Sequence, residues 1–301
     1  MNAIEIRNLT KTFKDKVAVN SLNLTAPVGS IYGFIGENGS GKSTTEKMIC
    51  GLLIPNSGSI KLFDKDYKDE DIRYCVGCLI ETPGCFSNYK VWDNLMFHAT
   101  NLGIEKPEDE IRRVLKIVRM EGAASNKFKN CSLGMKQRIA IAMALLGKPK
   151  LLVLDEPING LDADGMRIMR EVLIDLTKNN DCTVLVSSHI LGELEKIATH
   201  YGIIRNGQMI REMTAEELDA ECPVYVALKT SEINRTKNLL MIKYNRIEED
   251  EYGFLRVYDE VAPEEVADYL YRNGQVVSEL KTAKISLEEY YINLMDKKVV
   301  R

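Results

Sequence analysis

The sequence predicts an α/β fold with a largely parallel sheet, followed by a smaller α+β region. Strand-like and helix-like segments alternate from Ile4 to about residue 220, as in folds whose strands are joined through helices. Residues 151–154 and 183–187 form largely apolar runs, which are typical of strands covered on both faces. From about residue 222 the pattern changes to alternating strands and one amphipathic helix. We therefore predict domains at residues 1–220 and 221–301.

The composition excludes several classes of protein. Lys and Arg number 40 against 44 Asp and Glu, a net charge of −4, which argues against general nucleic-acid binding. No apolar run approaches the ~18 residues that span a bilayer, and the N-terminus lacks the layout of a signal peptide. We expect a cytoplasmic chain, so that any membrane part of its task belongs to another chain.

Residues 36–43 match the phosphate-binding pattern G-x-x-x-x-G-K-[ST] in full. A predicted strand at 31–35 precedes the pattern and a predicted helix at 43–53 follows it. Glycines let backbone N–H groups surround an anion, and the helix N-terminus adds partial positive charge. This context favours nucleoside triphosphate binding over a chance glycine-rich turn. The predicted nucleoside-triphosphate-binding residues, which the family resemblance given below makes ATP-binding, are Gly36, Glu37, Asn38, Gly39, Ser40, Gly41, Lys42, Ser43 and Thr44.

Within this loop, two side chains have the chemistry of a triphosphate site. Lys42 is predicted to reach the β- and γ-phosphates, and the Ser43 hydroxyl to hold Mg²⁺.

The region between this loop and residue 150 is richer in helix signals. Pro107 opens one predicted helix, whose first turn is acidic and which continues to Val118. Ser132 opens another, which is predicted to run through Met143 to Leu146. We expect a helical subdomain at about residues 84–148.

Two adjacent carboxylates end the predicted strand at 151–154. Asp155 is placed to hold Mg²⁺, and Glu156 to orient and polarise the attacking water. A solvated strand end is the alternative, but an apolar strand followed by Asp-Glu-Pro favours the catalytic interpretation.

Three weaker signals accompany these carboxylates. Ser132 and the Gly134 N–H begin a helix and can grip a phosphate, although alone they indicate only a helix cap. Leu161 and Asp162 follow the carboxylates, and His189 ends the next apolar strand, where it can contact a γ-phosphate. A lone histidine there is more often structural, but the order of the motifs favours a functional role.

The seven cysteines are predicted to be free thiols that pack as small apolar residues. Cys75, Cys78 and Cys85 have a superficially metal-like spacing, but no second Cys/His pair follows to complete four ligands.

Together the motifs resemble the nucleotide-binding subunit of an ABC transporter. The resemblance covers about residues 1–220 and implies a P-loop NTPase cassette with an antiparallel N-terminal sheet, a helical subdomain and here a C-terminal α+β appendage. Residues 36–43 correspond to Walker A and 151–156 to Walker B, with Glu156 catalytic. The remaining correspondences are the signature loop at Ser132, Leu133, Gly134 and Met135, the D-loop at Leu161 and Asp162, the switch histidine His189, and Phe13 as the aromatic that stacks on adenine. An aromatic near an N-terminal hairpin is also often simply core.

Two departures from the general motif pattern of the family resemble one of its subgroups. This subgroup exports peptide antibiotics and includes the bacitracin and lantibiotic self-protection type. The signature reads Cys-Ser-Leu-Gly-Met where Leu-Ser-Gly-Gly-Gln is common, and Glu81 stands where the family has glutamine. The segment 286–291 also resembles the ending of that subgroup. Glu81 is assigned as a further metal ligand, but an ionised carboxylate adds charge and cannot donate a hydrogen bond.

The resemblance implies a mechanism and partners. Two cassettes, as a homodimer, face each other head to tail and hold ATP between Walker A of one and the signature loop of the other. Hydrolysis changes the dimer and drives a permease on separate chains, which places this chain at the inner face of the plasma membrane. The C-terminal appendage is expected to regulate or stabilise pairing, or to be passive packing.

The alternatives are a soluble ABC ATPase of translation or DNA repair, a P-loop GTPase or kinase, and a regulatory nucleotide-binding module. The chain has one cassette and no sustained heptads, lacks the guanine-reading Asn-Lys-x-Asp, and keeps both Lys42 and Glu156. These features favour a transporter ATPase.

Overall fold

The computed structural model describes residues 1–81, 84–179, 182–250 and 252–296. The chain divides into two compact units, Met1–Ala215 and Glu216–Arg301. The strands are β1 (Asn2–Phe13), β2 (Lys16–Pro27), β3 (Ile31–Ile35), β4 (Ser57–Leu62), β5 (Lys65–Asp66), β6 (Val76–Leu79), β7 (Leu151–Asp155), β8 (Thr183–Ser188), β9 (His200–Arg205), β10 (Gln208–Thr214), β11 (Val224–Thr230), β12 (Ile247–Glu249), β13 (Leu255–Val257) and β14 (Val277–Lys284). The α-helices are α1 (Lys42–Ile49), α2 (Glu70–Arg73), α3 (Val91–Asn101), α4 (Pro107–Ile117), α5 (Leu133–Ala144), α6 (Ala163–Asn179), α7 (Leu191–Leu194), α8 (Ala215–Glu221), α9 (Ile233–Lys243), α10 (Pro263–Arg272) and α11 (Leu287–Asp296).

The first unit is built on a central sheet with the strand order β10-β9-β3-β8-β7-β6. The strands from β9 to β6 are parallel, and β10 joins the edge antiparallel to β9. Every residue of β3 and β8 is buried, as expected for strands covered on both faces. The predicted parallel α/β sheet is confirmed. Because β3, β8 and β7 are neighbours, their carboxyl ends meet at one edge, where open α/β sheets bind ligands.

A second, antiparallel sheet of order β2-β1-β4-β5 forms the N-terminal part of this unit, which confirms the predicted antiparallel N-terminal sheet. Its buried side chains share one core with the central sheet and with α1, through residues such as Leu24, Phe34, Met48 and Val153. This shared core fixes the start of α1 against the end of β3, and so holds the loop between them.

Two predicted helices end earlier in the structure than the sequence suggests. The helix predicted over 43–53 spans Lys42–Ile49, because Cys50 caps it and Gly51 turns the chain at φ 70°. The helix predicted to reach Leu146 ends at Ala144, three residues before Gly147 at φ 79°. In both cases apolar residues continue past the turn and extend the helical pattern. The helix predicted from Pro107 begins there, with Pro in the first turn.

The second unit contains an antiparallel sheet of order β12-β13-β11-β14. Its core is formed by apolar side chains of the sheet and of α9 and α10, including Leu228, Leu240, Leu255 and Leu270. The predicted alternating strands and the helix from Pro263 are therefore confirmed. Among the residues that the structure describes in either unit, no helix is both long enough and apolar enough to cross a membrane.

Candidate functional site

The phosphate loop joins β3 to α1 with glycines at its strained positions. Gly39 has φ 80° and Gly41 has φ 112°, conformations that residues with a Cβ rarely adopt. A Cβ on Gly41 would lie 2.7 Å from the Ala18 carbonyl oxygen, whereas one on Gly39 would meet nothing within 4 Å. The Lys42 side chain curls back over the loop, and its Nζ donates to the carbonyl oxygens of Gly36 at 2.6 Å and Glu37 at 3.2 Å. The ammonium group is thus held above the loop.

The two neighbouring strand ends bring the predicted acidic residues and the histidine to the same edge. Asp155 ends β7, and its Oδ1 accepts a hydrogen bond of 2.7 Å from Ser187 Oγ on β8. Glu156 follows at φ 51°, and its N–H donates to Ser187 Oγ at 3.2 Å. The carboxylate of Glu156 lies 2.8 Å, Oε2 to Nδ1, from His189. Ser187 on β8 therefore holds Asp155 and Glu156, at the end of the neighbouring strand β7, in place.

These residues surround a cleft of about 350 Å³. It is lined by Phe13, Lys16, Ala18, Asn38, Gly39, Gly41, Lys42, Ser43, Thr44, Asp155 and Glu156. The cleft thus brings together most of the predicted ATP-binding residues, both Walker B carboxylates and the predicted adenine-stacking aromatic. Gly36, Glu37 and Ser40 complete the same loop without lining the cleft, and His189 reaches it through Glu156.

Phe13 stands at the mouth of this cleft, at the end of β1. Its side chain is 47% exposed, so it is not a core residue. The Lys11 ammonium lies 5.2 Å from the ring centroid, within cation–π range. An exposed ring at the edge of a phosphate site is free to stack on a base.

The donor set of the cleft fits a Mg²⁺ nucleotide. Ser43 and Asp155 offer one hydroxyl and one carboxylate oxygen, and Mg²⁺ is usually held by one or two carboxylates together with substrate phosphates. Among the described residues no group of three or more His, Cys, Asp or Glu is arranged to hold a metal ion. One hydroxyl and one carboxylate leave coordination positions for phosphate oxygens, which matches a site that takes metal and nucleotide together.

The signature residues and the D-loop residues lie outside the cleft lining. Ser132 caps α5, and its Oγ accepts from the Met135 N–H at 3.3 Å. Asp162 similarly accepts from the Gly165 N–H at 2.8 Å, near the start of α6. The two segments contact each other, because a Cβ on Gly160 would lie 2.9 Å from Leu133 Cδ2. Likewise, a Cβ added to Gly134 would lie 3.6 Å from Leu161 Cδ2.

Glu81 is also absent from the cleft lining. Its side chain is 68% exposed and pairs with Lys47 Nζ at 2.5 Å. That hydrogen bond and the lysine charge lower the pKa of Glu81. Lys47 belongs to α1, so the ion pair ties the segment after β6 to the helix that follows the phosphate loop. The metal-ligand assignment of Glu81 stays a prediction.

Sequence reasoning missed two residues beneath the cleft, Ser187 and Glu46. Ser187 joins both Walker B residues, and Glu46 is a fully buried acid on α1. The signal for Glu46 was its spacing, since it lies three residues after Ser43 and four after Lys42, on one helical face. A carboxylate on the buried face of a helix is rare unless it is paired.

A larger groove of about 720 Å³ lies beside β6 and contains none of the predicted site residues. Cys78 lines it, and a hydrogen bond from the Cys50 thiol lowers the pKa of Cys78 to about 7.

Comparison with known proteins gives matches over as much as 97% of the chain. The family model described as ABC transporter matches residues 19–159. The chain is 36% identical to the bacitracin transport ATP-binding protein BcrA of Bacillus licheniformis, over 97% of each chain. It is 39% identical to the lantibiotic transport ATP-binding protein SrtF of Streptococcus pyogenes, over 69% of this chain and 90% of SrtF.

A solved dimeric ATP-binding cassette in a post-hydrolysis state, bound to ADP and Pi, superposes with a TM-score of 0.64. It is 24% identical and covers 70% of this chain and 98% of its own. At that identity the likeness concerns the fold, and it confirms the predicted fold class.

Proposed function

We propose that this chain, which belongs to the ABC transporter ATP-binding family, binds ATP with Mg²⁺ in the 350 Å³ cleft and hydrolyses it to drive a separate membrane permease. The observation that carries the proposal is the convergence at this cleft of Lys42 and Ser43, which follow β3, with Asp155 and Glu156 at the end of β7; β8 lies between these two strands in the sheet. Such a set supplies phosphate binding, a metal ligand and a base in one place.

Each of these side chains has its own task in the proposed reaction. Lys42, now bonded to loop carbonyls, would turn to the β- and γ-phosphates, while loop N–H groups hold the phosphate oxygens. Glu156 orients the attacking water and accepts its proton, and His189, 2.8 Å from that carboxylate, fixes the orientation of Glu156 and contacts the γ-phosphate. Phe13 stacks on the adenine.

Ser43 and Asp155 would hold the Mg²⁺ ion, which neutralises charge on the phosphate oxygens. Ser187 fixes Asp155 for this purpose through its 2.7 Å hydrogen bond. Glu81 is a candidate for a further, outer contact.

The active unit is proposed to be a homodimer. The cleft is open to solvent, and this chain's own signature residues Ser132–Met135 do not line it. Ser132 and Leu133 are exposed at the start of α5, where N–H groups and the helix dipole attract an anion. A second copy would therefore close the cleft with Ser132 and Gly134, while its D-loop at Leu161 and Asp162 moves with the signature loop through the Leu133–Gly160 contact.

The transported class is proposed to be peptide antibiotics, exported as self-protection. Two relatives support this, since their names state bacitracin transport and lantibiotic transport, and the first aligns over 97% of both chains. The permease would be a separate membrane protein, with this chain bound at its cytoplasmic face. The division into a cassette at 1–220 and an accessory domain at 221–301 is part of this proposal.

The proposal is tested by calorimetric nucleotide binding and by growth in bacitracin or a lantibiotic, with the chain co-expressed with its membrane partner. The wild type is expected to bind ATP·Mg²⁺ and to confer resistance, and Lys42→Ala to lose both because it removes the phosphate-binding cation. Lys61→Ala is the control, since Lys61 is an exposed lysine of β4 that does not line the cleft. Resistance that survives Lys42→Ala would contradict the proposal.

A further inference from the structure

The sheet of the second unit ends in one long edge strand. In the chain its elements follow the order β11-α9-β12-β13-α10-β14, and in the sheet its strands follow the order β12-β13-β11-β14, which is the split βαβ arrangement. On one side the sheet ends with the three residues of β12. On the other side it ends with the eight residues of β14, whose outer edge pairs with no strand that the structure describes. The N–H and C=O groups along such an edge can pair with another strand.

The side chains of β14 are divided between the two faces of the sheet. Leu280 packs against the core that includes side chains of α9 and α10. Because successive residues of a strand point to opposite faces, Glu279 and Lys281 point to the other face. Both are exposed, and the Lys281 ammonium lies 5.1 Å from the centroid of the Phe254 ring. Neither Glu279 nor Lys281 forms an ion pair with a residue that the structure describes, so both charges are available to a partner.

These two charges make β14 complementary to itself in one register. When two copies of a strand pair antiparallel about a two-fold axis, the residue at the axis lies opposite its own copy, and its two neighbours lie opposite each other. With Leu280 at the axis, Glu279 of each copy lies opposite Lys281 of the other copy, which forms two pairs of opposite charge. The two Leu280 side chains then meet on the face that carries the apolar core.

Neighbouring registers lack this match. With Glu279 or Lys281 at the axis, a charge lies directly opposite its own copy, which is destabilising. With Thr282 at the axis, Leu280 lies opposite Lys284, and Glu279 has no charged residue opposite it. The charges therefore select the register about Leu280.

We propose that the second unit binds a second copy of this chain by antiparallel pairing of the two β14 edges about Leu280. The two sheets then join into one continuous sheet, with the helices of both copies on the same face. This pairing needs neither nucleotide nor a membrane partner, so it goes beyond the proposed function, in which ATP joins two cassettes. It keeps two copies associated when no nucleotide is bound.

Charged side chains on an edge strand can instead prevent pairing, as exposed lysines often do. The two roles give different results when the charges are changed. A protective role depends on the presence of charge, and reversing one sign does not weaken any association. Self-pairing requires opposite signs at positions 279 and 281, whichever of the two is positive.

The experiment measures self-association of the full chain without nucleotide, by sedimentation velocity over a series of concentrations. We expect the wild type to dimerise reversibly. Glu279→Lys and Lys281→Glu should each weaken the dimer roughly tenfold, because each variant places like charges opposite each other at both pairs. An equimolar mixture of the two variants should regain the wild-type dimer affinity within about threefold, since opposite charges then meet at both pairs.

Lys229→Glu is the matched control. Lys229 lies on β11 opposite Glu279, so it shares the face of Lys281, and its ammonium is 5.3 Å from the Phe254 ring centroid. The control changes the net charge as Lys281→Glu does, but on a strand that is not an edge. It should leave the dimer affinity within about threefold of the wild type. Thermal unfolding midpoints check that each variant folds, and if Glu279→Lys does not, the comparison of Lys281→Glu with Lys229→Glu decides.

A wild type that stays monomeric at every concentration would overturn the inference. So would equal weakening by Lys281→Glu and Lys229→Glu, a mixture that does not regain affinity, or a dimer that no variant weakens. The proposed function is tested separately by ATP binding. Normal ATP binding by a monomeric wild type refutes this inference alone, whereas a dimer that depends on β14 but binds no ATP refutes the proposed function alone.

Discussion

Replacing Gly41 with alanine tests whether the phosphate loop depends on the backbone that the structure gives it. Gly41 has φ 112° and ψ 1°, and a Cβ there would lie 2.7 Å from the Ala18 carbonyl oxygen. Gly39, two residues earlier, also has positive φ, at 80°, but a Cβ there would meet nothing within 4 Å. Gly39→Ala is therefore a matched control that also places alanine at positive φ but lacks the clash.

The two costs follow from these geometries. An alanine in the left-handed backbone conformation lowers the free energy of unfolding by ~1–2 kcal/mol. About 0.5 kcal/mol of this loss is offset, because alanine restricts the unfolded chain more than glycine does. This gives about 1 kcal/mol for Gly39→Ala. At Gly41 the backbone lies further from the left-handed minimum, which costs up to ~3 kcal/mol, and β2 must also shift away from the new Cβ. The total for Gly41→Ala is about 2–4 kcal/mol.

Calorimetric unfolding without nucleotide checks the difference. For a unit of this size ~1 kcal/mol shifts the midpoint by about 2–4 °C, so Gly41→Ala should lower it by roughly 4–16 °C and Gly39→Ala by roughly 2–4 °C. Equal midpoints for the two variants would refute the loop geometry, since both the contact with Ala18 and the more strained backbone belong to Gly41.

Three further predictions concern Glu81, Cys78 and the second unit. Glu81→Gln should leave the unfolding midpoint within about 2 °C of the wild type, because the ion pair of Glu81 with Lys47 is exposed. The same variant should alter the coupling of ATP hydrolysis to peptide resistance. Unchanged coupling would indicate that Glu81 is only a surface charge. Cys78, with its pKa at about 7, should react with maleimide at pH 7 roughly fivefold to tenfold faster than Cys78 in a Cys50→Ala variant, and the rate should rise as pH passes through 7. Equal rates would contradict the thiol–thiol hydrogen bond. Truncation after residue 220 should leave the ATP affinity, measured by calorimetry, nearly intact while weakening dimerisation or resistance. A truncated chain that dimerises and confers resistance normally would rule out a regulatory role for the C-terminal appendage.

The sequence specified the elements better than their arrangement. The strand predicted at 31–35 has those bounds in β3, because five buried residues end at a loop whose glycines are recognisable. The ends of α1 and α5 were missed, since apolar residues continue the helical spacing past Cys50 and Leu145, which cap the helices. Local spacing carries no information about where a cap turns the chain away.

Contacts between residues on different strands could not be predicted from local sequence patterns. The phosphate-loop, Asp-Glu and histidine motifs could be found separately, but only the order β3-β8-β7 brings them to one edge. The hydrogen bonds of Ser187 and the burial of Glu46 depend on that order as well. Glu81 illustrates the same limit, because its partner Lys47 is 34 residues away in the chain.

The rate of ATP hydrolysis by Glu156→Gln tests most directly the claim that this cleft is the hydrolytic site. Glutamine keeps the size of the side chain and its contact with His189 while removing the base, so nucleotide binding should persist. The variant, compared with the wild type in ATP and Mg²⁺, should turn over ATP at least ~100-fold more slowly and elute from size-exclusion chromatography as a persistent dimer. Turnover at the wild-type rate, with no ATP-stabilised dimer, would contradict the account of this cleft as the hydrolytic site.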